Sequence, residues 1–366
     1  MSLLPSPLEQ VVVLRALNGL GDLLCAIPAL RALRSGAPDA RVTLVALPWA
    51  RELIERFEGL VDEVVAFPGF PGLPEVTVDA RRTTAFLASM HDRGPDLAVQ
   101  LQGSGLTSNA FVALLGARAA AGFRPPGVSW SPDPERFLPW EEREHEVRRG
   151  LRLLEHLGIP SRGEEIDLPV VAEEAAAAAV LLPADAEHGY VVVHPGASEP
   201  ARRWEPCRFA AVADGLADRG LVPVLTGTVS EGGPIGAVAA AMRAAPVDLG
   251  GRTTLGVLAA LVRNARLVVS GDTGVSHLAA AVAAPSVVVF QASDPSRWAP
   301  LDRARHRSLG WPTGGEGEPL LHPDVSVAEV LAVAEDVLRD GSPSRHGRPR
   351  RGGSATCHPG RDAACG

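Results

Sequence analysis

"RLVVSGDTGVSHLAAAVAAPSVVVFQAS" (266–293) decides the fold. "RLVVS" is a short β-branched run, "GDTG" a turn, "VSHLAAAVAA" an apolar helical stretch, and "PSVVVFQAS" a second run of the first kind. Two buried strands joined by a helix pair in parallel, because the crossover returns the chain to the same edge. Asp272, Thr273, Ser276 and His277 are crowded where the strand ends and the helix begins. Ligands of parallel α/β sheets collect at such carboxyl ends.

The same alternation extends outward in both directions. Toward the N-terminus, "YVVVHPGAS" is a strand with its exit turn, "PCRFAAVADGLADRG" a helix, "LVPVLTG" a strand and "GGPIGAVAAAMRAA" a helix. "TLGVLAALVRNA" then leads as a helix into the opening stretch. The chain begins in the same way. "QVVVLRAL" (10–17) is a strand, "NGLGD" a turn, and "DLLCAIPALRALRSG" a helix ending in glycine. "RVTLVAL", "VDEVVAF" and "PDLAVQLQ" are further strands, "ARELIERF" is helical, and "GSGLTSNAFVALLGA" is a glycine turn opening a helix. Between about 122 and 170 the pattern weakens into proline-rich loop, the amphipathic helix "EEREHEVRRGLRLLEHLG" (141–158) and an extended connector. The expected fold class is α/β, with two Rossmann-like βαβ domains facing across a cleft. Expected bounds are 1–175 and 176–325 for the domains, 326–340 for a closing helix, and 341–366 for a disordered tail with little to bury.

Composition removes several classes of function. The chain has 366 residues and a formal charge of −8, which argues against a general nucleic-acid binder. Its 35 basic residues are all arginine, so any basic phosphate contact uses a guanidinium. Four cysteines form no Cys-x-x-Cys pair, which points to a reducing compartment without structural zinc. The longest apolar run, "AAAAAVLL" (175–182), is far short of the ~20 residues that span a bilayer. With no targeting segment visible, the expectation is a cytoplasmic protein, with peripheral contact at the membrane face left open. Asp-Thr-Gly also occurs in aspartic proteases, but there it sits in an all-β fold in two copies.

Four turns carry candidate chemistry. Gly19 and Gly21 fit the start of a dinucleotide-binding loop, but Leu24 stands where a third glycine is required. The alternative is a tight turn exposing Asp22 at a helix start, or Asp22 simply capping that helix. In "HPGASEPARRW" (194–204), backbone amides, the Ser198 hydroxyl and the Arg202–Arg203 pair could meet a diphosphate, or the arginines could be solvated. In "LTGTVSEGG" (225–233), Thr226, Thr228 and Glu231 face the cleft; Glu231 either holds a ribose diol or caps a helix. In the opening stretch, Asp272 or Thr273 caps a helix whose first amides, next to Gly274, form an anion site. His277 reaches a ligand or braces Asp272. No Asp-x-Asp pair occurs, which argues for chemistry without a metal.

Taken together, "GLGDLLCAIPALRALR", "HPGASEPARRWEPCRFAAVADGL", "LTGTVSE" and "VVSGDTGVSHLAAAVAAPSVVVFQASDP" resemble glycosyltransferase family 9, the ADP-heptose:lipopolysaccharide heptosyltransferases. The resemblance runs over about residues 10–340. It implies the two-domain GT-B fold and an inverting transfer that needs no metal or other cofactor. An ADP-sugar would be the donor, and a glycan or glycolipid such as lipopolysaccharide core the acceptor. By the same resemblance Asp22 is the catalytic base, with Gly21, Gln102 and His145 on the acceptor side. Ser198, Arg203, Thr226, Glu231, Asp272, Thr273, Gly274 and His277 would lie on the donor side. Arg118, Arg124, Arg143 and Arg148 could supply a basic acceptor cleft. Two other readings stay open: a GT-B transferase using another nucleotide sugar, and a non-catalytic nucleotide-sugar-binding relative. Oligomeric state is not implied.

Overall fold

The computed structural model describes residues 3–310 and 324–340. The N-terminal half contains β1 (Gln10–Leu14), α1 (Leu20–Gly36), β2 (Arg41–Ala46), α2 (Ala50–Ile54), β3 (Glu63–Ala66), α3 (Ala80–Arg93), β4 (Leu97–Gln100), α4 (Ser108–Ala113), β5 (Ala119–Arg124), β6 (Phe137–Pro139) and α5 (Glu146–His156). The C-terminal half contains α6 (Ala172–Val180), β7 (Tyr190–His194), α7 (Pro206–Ala217), β8 (Val222–Leu225), α8 (Gly232–Ala241), β9 (Val247–Asp248), α9 (Leu255–Asn264), β10 (Leu267–Gly271), α10 (Gly274–Ala281), β11 (Ser286–Val289), α11 (Pro295–Trp298), β12 (His306–Leu309) and α12 (Val327–Asp340).

Each half builds a six-stranded sheet, and every pairing is parallel. The orders are β3-β2-β1-β4-β5-β6 and β9-β8-β7-β10-β11-β12. Both are the doubly wound order, in which the strand sequence reverses between first and fourth strands and opens a crevice there. That crevice lies at the ends of β1 and β4 in one half and of β7 and β10 in the other.

α1 lies between the two halves. It buries eleven of its residues, among them Leu23, Leu24, Ile27, Leu30 and Leu33, and packs on both α5 and α10. A helix apolar on nearly all sides belongs inside a molecule, which is why "LLCAIPALRAL" shows little amphipathic contrast. Small residues permit its crossing with α5: a Cβ on Gly150 would lie 2.9 Å from that of Ala29. One apolar core runs from Val11 and Leu30 in the first half to Leu261 and Leu278 in the second.

The expected boundary at 175/176 falls inside α6. That helix packs on α9, so it belongs with the C-terminal half, although Glu174 also pairs with Arg56 at 2.5 Å. The closing helix, expected over 326–340, is α12, and it packs on α7. The tail expected at 341–366 lies outside the described residues. "ARELIERF" forms a helix only over Ala50–Ile54. No described helix is long and apolar enough to cross a membrane.

Candidate active site

Asp22 occupies the first turn of α1 at the open end of β1, as expected. Its carboxylate stands 3.7 Å from the Arg15 guanidinium, and its side chain is one-quarter exposed. Arg15 is held by the backbone: its Nε and Nη2 donate to the Asp22 carbonyl at 3.1 and 2.6 Å. The carboxylate therefore faces Arg15, with the charges of His277 and Arg202 from the other half in reach. Burial pushes the Asp22 carboxyl above its ordinary value. Glu146 adds to the rise, while Arg15, His277 and Arg202 oppose it.

Gly21 fits the close approach of α1 to α10. A Cβ there would sit 2.4 Å from His277 Cδ2, and one on Gly274 would sit 2.9 Å from Leu20 Cβ. The two helix starts thus meet end to end across the halves. His277 is buried, with Nδ1 3.5 Å from the Cys25 thiol and its ring edge-on to Trp298. Burial lowers its pKa.

The start of α10 differs from expectation in one respect. Thr273 makes no side-chain capping bond, and Asp272 turns inward to accept from the Ser293 hydroxyl. Neither expected cap operates, because Asp272 is buried beneath the turn. Ser276 donates its hydroxyl and its N–H to the Thr273 carbonyl. The α10 start thus carries no side-chain cap, and first-turn amides left free in this way favour an anion.

At the end of β7, His194 Nδ1 lies 3.1 Å from the Thr226 hydroxyl. Thr226 is fully buried, so it sits under the site, and its placement at the cleft surface is corrected. Glu231 lies over Gly196, where a Cβ would come within 2.1 Å of its carboxylate. It accepts from Thr228 N at 2.7 Å and from the Thr228 hydroxyl at 2.9 Å, and its other oxygen is 3.8 Å from His194 Nε2. The capping alternative is thus realised at Glu231. Burial opposes its ionisation, but His194 and Thr228 outweigh burial and bring its pKa from 4.5 to about 2. A carboxyl depressed in the folded state stabilises above its unfolded pKa and loses that contribution as pH falls toward 2. Glu231→Ala is expected to cost about 0.5–2 kcal/mol at neutral pH, as for a lost cap, and to shrink the acid-induced loss below pH 4.5. Calorimetric melting from pH 7 to 2 tests both.

Ser198 is exposed at the tip of the same turn. Arg203 folds back, donating to the Ala197 carbonyl from Nε at 3.0 Å and Nη2 at 2.8 Å. Its neighbour Arg202 points to the site instead, with Nη1 4.0 Å from the Asp272 carboxylate, and its charge reaches Asp22 and His277. The adjacent pair was legible in sequence; which member faces inward depends on the turn.

The acceptor-side residues prove to be braces. Gln102 is buried, accepts from Ala16 N at 2.6 Å and donates to Glu75 at 2.8 Å, fixing the loop ahead of Asp22. His145 uses both ring nitrogens: Nδ1 accepts from Val147 N at 3.2 Å and Nε2 meets the Ala299 carbonyl at 3.0 Å. In this arrangement it joins the halves. Burial takes its pKa to about 4, so it is neutral at pH 7. Arg118 and Arg148 pair with Asp96 and Glu164 and are about half-exposed. Arg118 stands at the amino end of β5, away from the crevice. In the N-terminal half the arginines beside the site are the buried Arg15 and Arg149, the latter stacked 3.5 Å over Trp140. Among the described residues, no three His, Cys, Asp or Glu side chains are grouped to hold a metal ion.

Comparison with known proteins bears on the family and the fold. The family model for glycosyltransferase family 9 (heptosyltransferase) matches residues 84–311, more than half of the chain. No curated protein matches the sequence. A family 9 glycosyl transferase from Veillonella parvula has a similar fold at a TM-score of 0.72 and 20% identity, covering 92% of this chain and 99% of its own. The ADP-heptose lps heptosyltransferase II of E. coli aligns at a TM-score of 0.70 and 21% identity, over 91% of this chain and 99% of its own. E. coli heptosyltransferase WaaC with ADP aligns at 0.60 and 18% identity, over 90% and 97%.

Proposed function

From the premise that the chain belongs to glycosyltransferase family 9 and has the GT-B fold, we propose that it transfers a heptose-like sugar from an ADP-sugar to a cell-surface glycan or glycolipid such as lipopolysaccharide core. The carrying observation is that the start of α1, which bears Asp22, and the start of α10, which lacks a side-chain cap, approach one another across the halves. One side can take a proton and the other can hold an anion, as a displacement at a sugar carbon requires.

In the proposed reaction the acceptor oxygen attacks the anomeric carbon from the face opposite the diphosphate. Asp22 takes the hydroxyl proton as the new C–O bond forms and the bond to the diphosphate breaks, so the configuration inverts. Charge growing on the departing ADP falls to the Gly274 and Val275 amides, with the Arg202 guanidinium, 4.0 Å from Asp272, beside them. Arg203 stiffens the turn carrying Ser198. Thr226 and His194 support Glu231, which lies where a ribose would pass. Asp272 orders the turn through Ser293. This scheme needs no metal. An acceptor presented at the cytoplasmic membrane face suits a chain of this kind.

Donor class tests the reading. ADP and ADP-sugars are expected to raise the melting temperature more than GDP- and UDP-sugars at equal concentration, with ADP released on adding a core oligosaccharide acceptor. Stabilisation by UDP- or GDP-sugars alone would turn the reading to another nucleotide sugar. Binding of ADP-sugar without transfer to any acceptor offered would favour a binding protein.

A further inference from the structure

A buried ion network joins the two halves beside Asp22. At its centre is Glu146, the first residue of α5, whose side chain is 4% exposed. From the C-terminal half, Arg297 on α11 donates to Glu146 Oε1 at 2.8 Å and also meets Glu142 at 3.0 Å. From the N-terminal half, Arg149 Nε lies 3.3 Å from the same oxygen, and the Arg15 charge reaches it as well. Arg15 in turn holds Asp22 by two bonds to its carbonyl and by the 3.7 Å carboxylate contact. Named outward, the chain of charges is Arg297, Glu146, Arg15, Asp22.

We propose that Glu146 is a positioning residue, and that Arg297, by docking on it, sets the charge that Asp22 faces across the seam between the halves. This positioning rests on the proposed role of Asp22 as base. Glu146 is an anion with more than one cation in reach. With Arg297 in place its charge is answered from the other half, and Arg15 is left to favour ionised Asp22. Without Arg297 the carboxylate keeps Arg149, draws more on Arg15 and acts more strongly on Asp22, and nearby like charge disfavours ionisation. The contacts of His145 with Ala299 and of Trp298 with His277 help keep α11 seated at this point. Other charged groups facing Asp22 are His277 on α10 and Arg202 ahead of α7, and neither touches Glu146 in the described bonds.

Two substitutions separate this role from simple packing, because they move one quantity in opposite directions. Glu146→Gln removes the anion and is expected to lower the apparent pKa of Asp22 by about 0.5–1 pH unit. Arg297→Gln removes the answering cation and is expected to raise it by a similar amount. A structural defect would move both the same way. The direct readout is carboxyl-carbon NMR titration of Asp22 in the full chain, identified by its loss in Asp22→Asn. The acid limb of the transfer rate is the second. ADP-induced stabilisation retained in both variants establishes that they fold. Superimposable Asp22 titrations in wild type and both variants, or shifts of the same sign, overturn the proposal. Opposed NMR shifts with full transfer activity in Asp22→Asn would leave the coupling intact and remove the base assignment instead.

Discussion

Asp22→Asn is expected to lower the transfer rate by about 10²–10⁴-fold, the usual contribution of a positioned general base. The substitution keeps the shape of the side chain and removes the proton acceptor. ADP binding should persist, because the α10 start, Arg202 and the 194–198 turn belong to the other half. A loss confined to turnover, with ADP affinity within about twofold, separates chemistry from folding. The pH profile gives an independent check. Burial raises the Asp22 carboxyl above its ordinary 3.8, so the proton is taken up at a pH where an exposed aspartate is still ionised. Transfer should fall on the acid side through an apparent pKa above 3.8, and residual activity of Asp22→Asn should lack that limb. Near-wild-type turnover in the variant would remove Asp22 from the mechanism.

Phe111→Ala is expected to destabilise the chain by about 3–5 kcal/mol, read from urea unfolding. Phe111 lies on α4 and is completely buried. Its ring meets Phe67 and Phe70 edge-on at 5.2 and 5.3 Å and stacks near Phe86 at 6.0 Å. In a chain with only 4% aromatic residues, this cluster closes one face of the first sheet. Truncation removes the apolar surface and leaves a cavity that the flanking strands cannot fill, since β4 and β5 are paired on both sides. Leu114, just past the same helix and 46% exposed, is the control; its alanine variant should change stability by no more than about 0.5 kcal/mol. Activity should suffer too, because Ser108 at the start of α4 bonds the Gln102 carbonyl, and Gln102 holds the loop before Asp22. A cost below about 1 kcal/mol would show that the layer relaxes around the gap.

The C-terminal half was the more legible of the two. Its strands are Val-rich and its helices are bounded by glycine and proline, so pattern and structure agree closely from Tyr190 to Val289. The N-terminal half hid α3, β5 and the three-residue β6. α3, "ARRTTAFLASMHDR", buries only Thr83 and Met90, so it has no apolar stripe to read. β5, "AAAGFR", opens with three alanines and a glycine, poor strand formers on their own, and is held between β4 and β6. A central strand follows its neighbours more than its own propensity. In the C-terminal half, β9 and β12 escaped notice for a related reason: they are edge strands of two and four residues.

Local sequence carried the α/β class, the doubling into two halves, and the turns that hold the candidate site residues, including Asp22 and the Asp272–His277 block. Those follow from local periodicity and from residues that stand next to one another in the chain. Tertiary structure alone decided which way each side chain faces. Arg202 and Arg203 are adjacent, yet one points to Asp272 and the other to its own turn. Thr226 and His145 carry the right chemistry but spend it on His194 and Ala299. Glu146 and Arg297, 151 positions apart, meet in a buried pair beside Asp22. Such a meeting depends on how α1, α5 and α11 pack, and no local pattern encodes the distance between them.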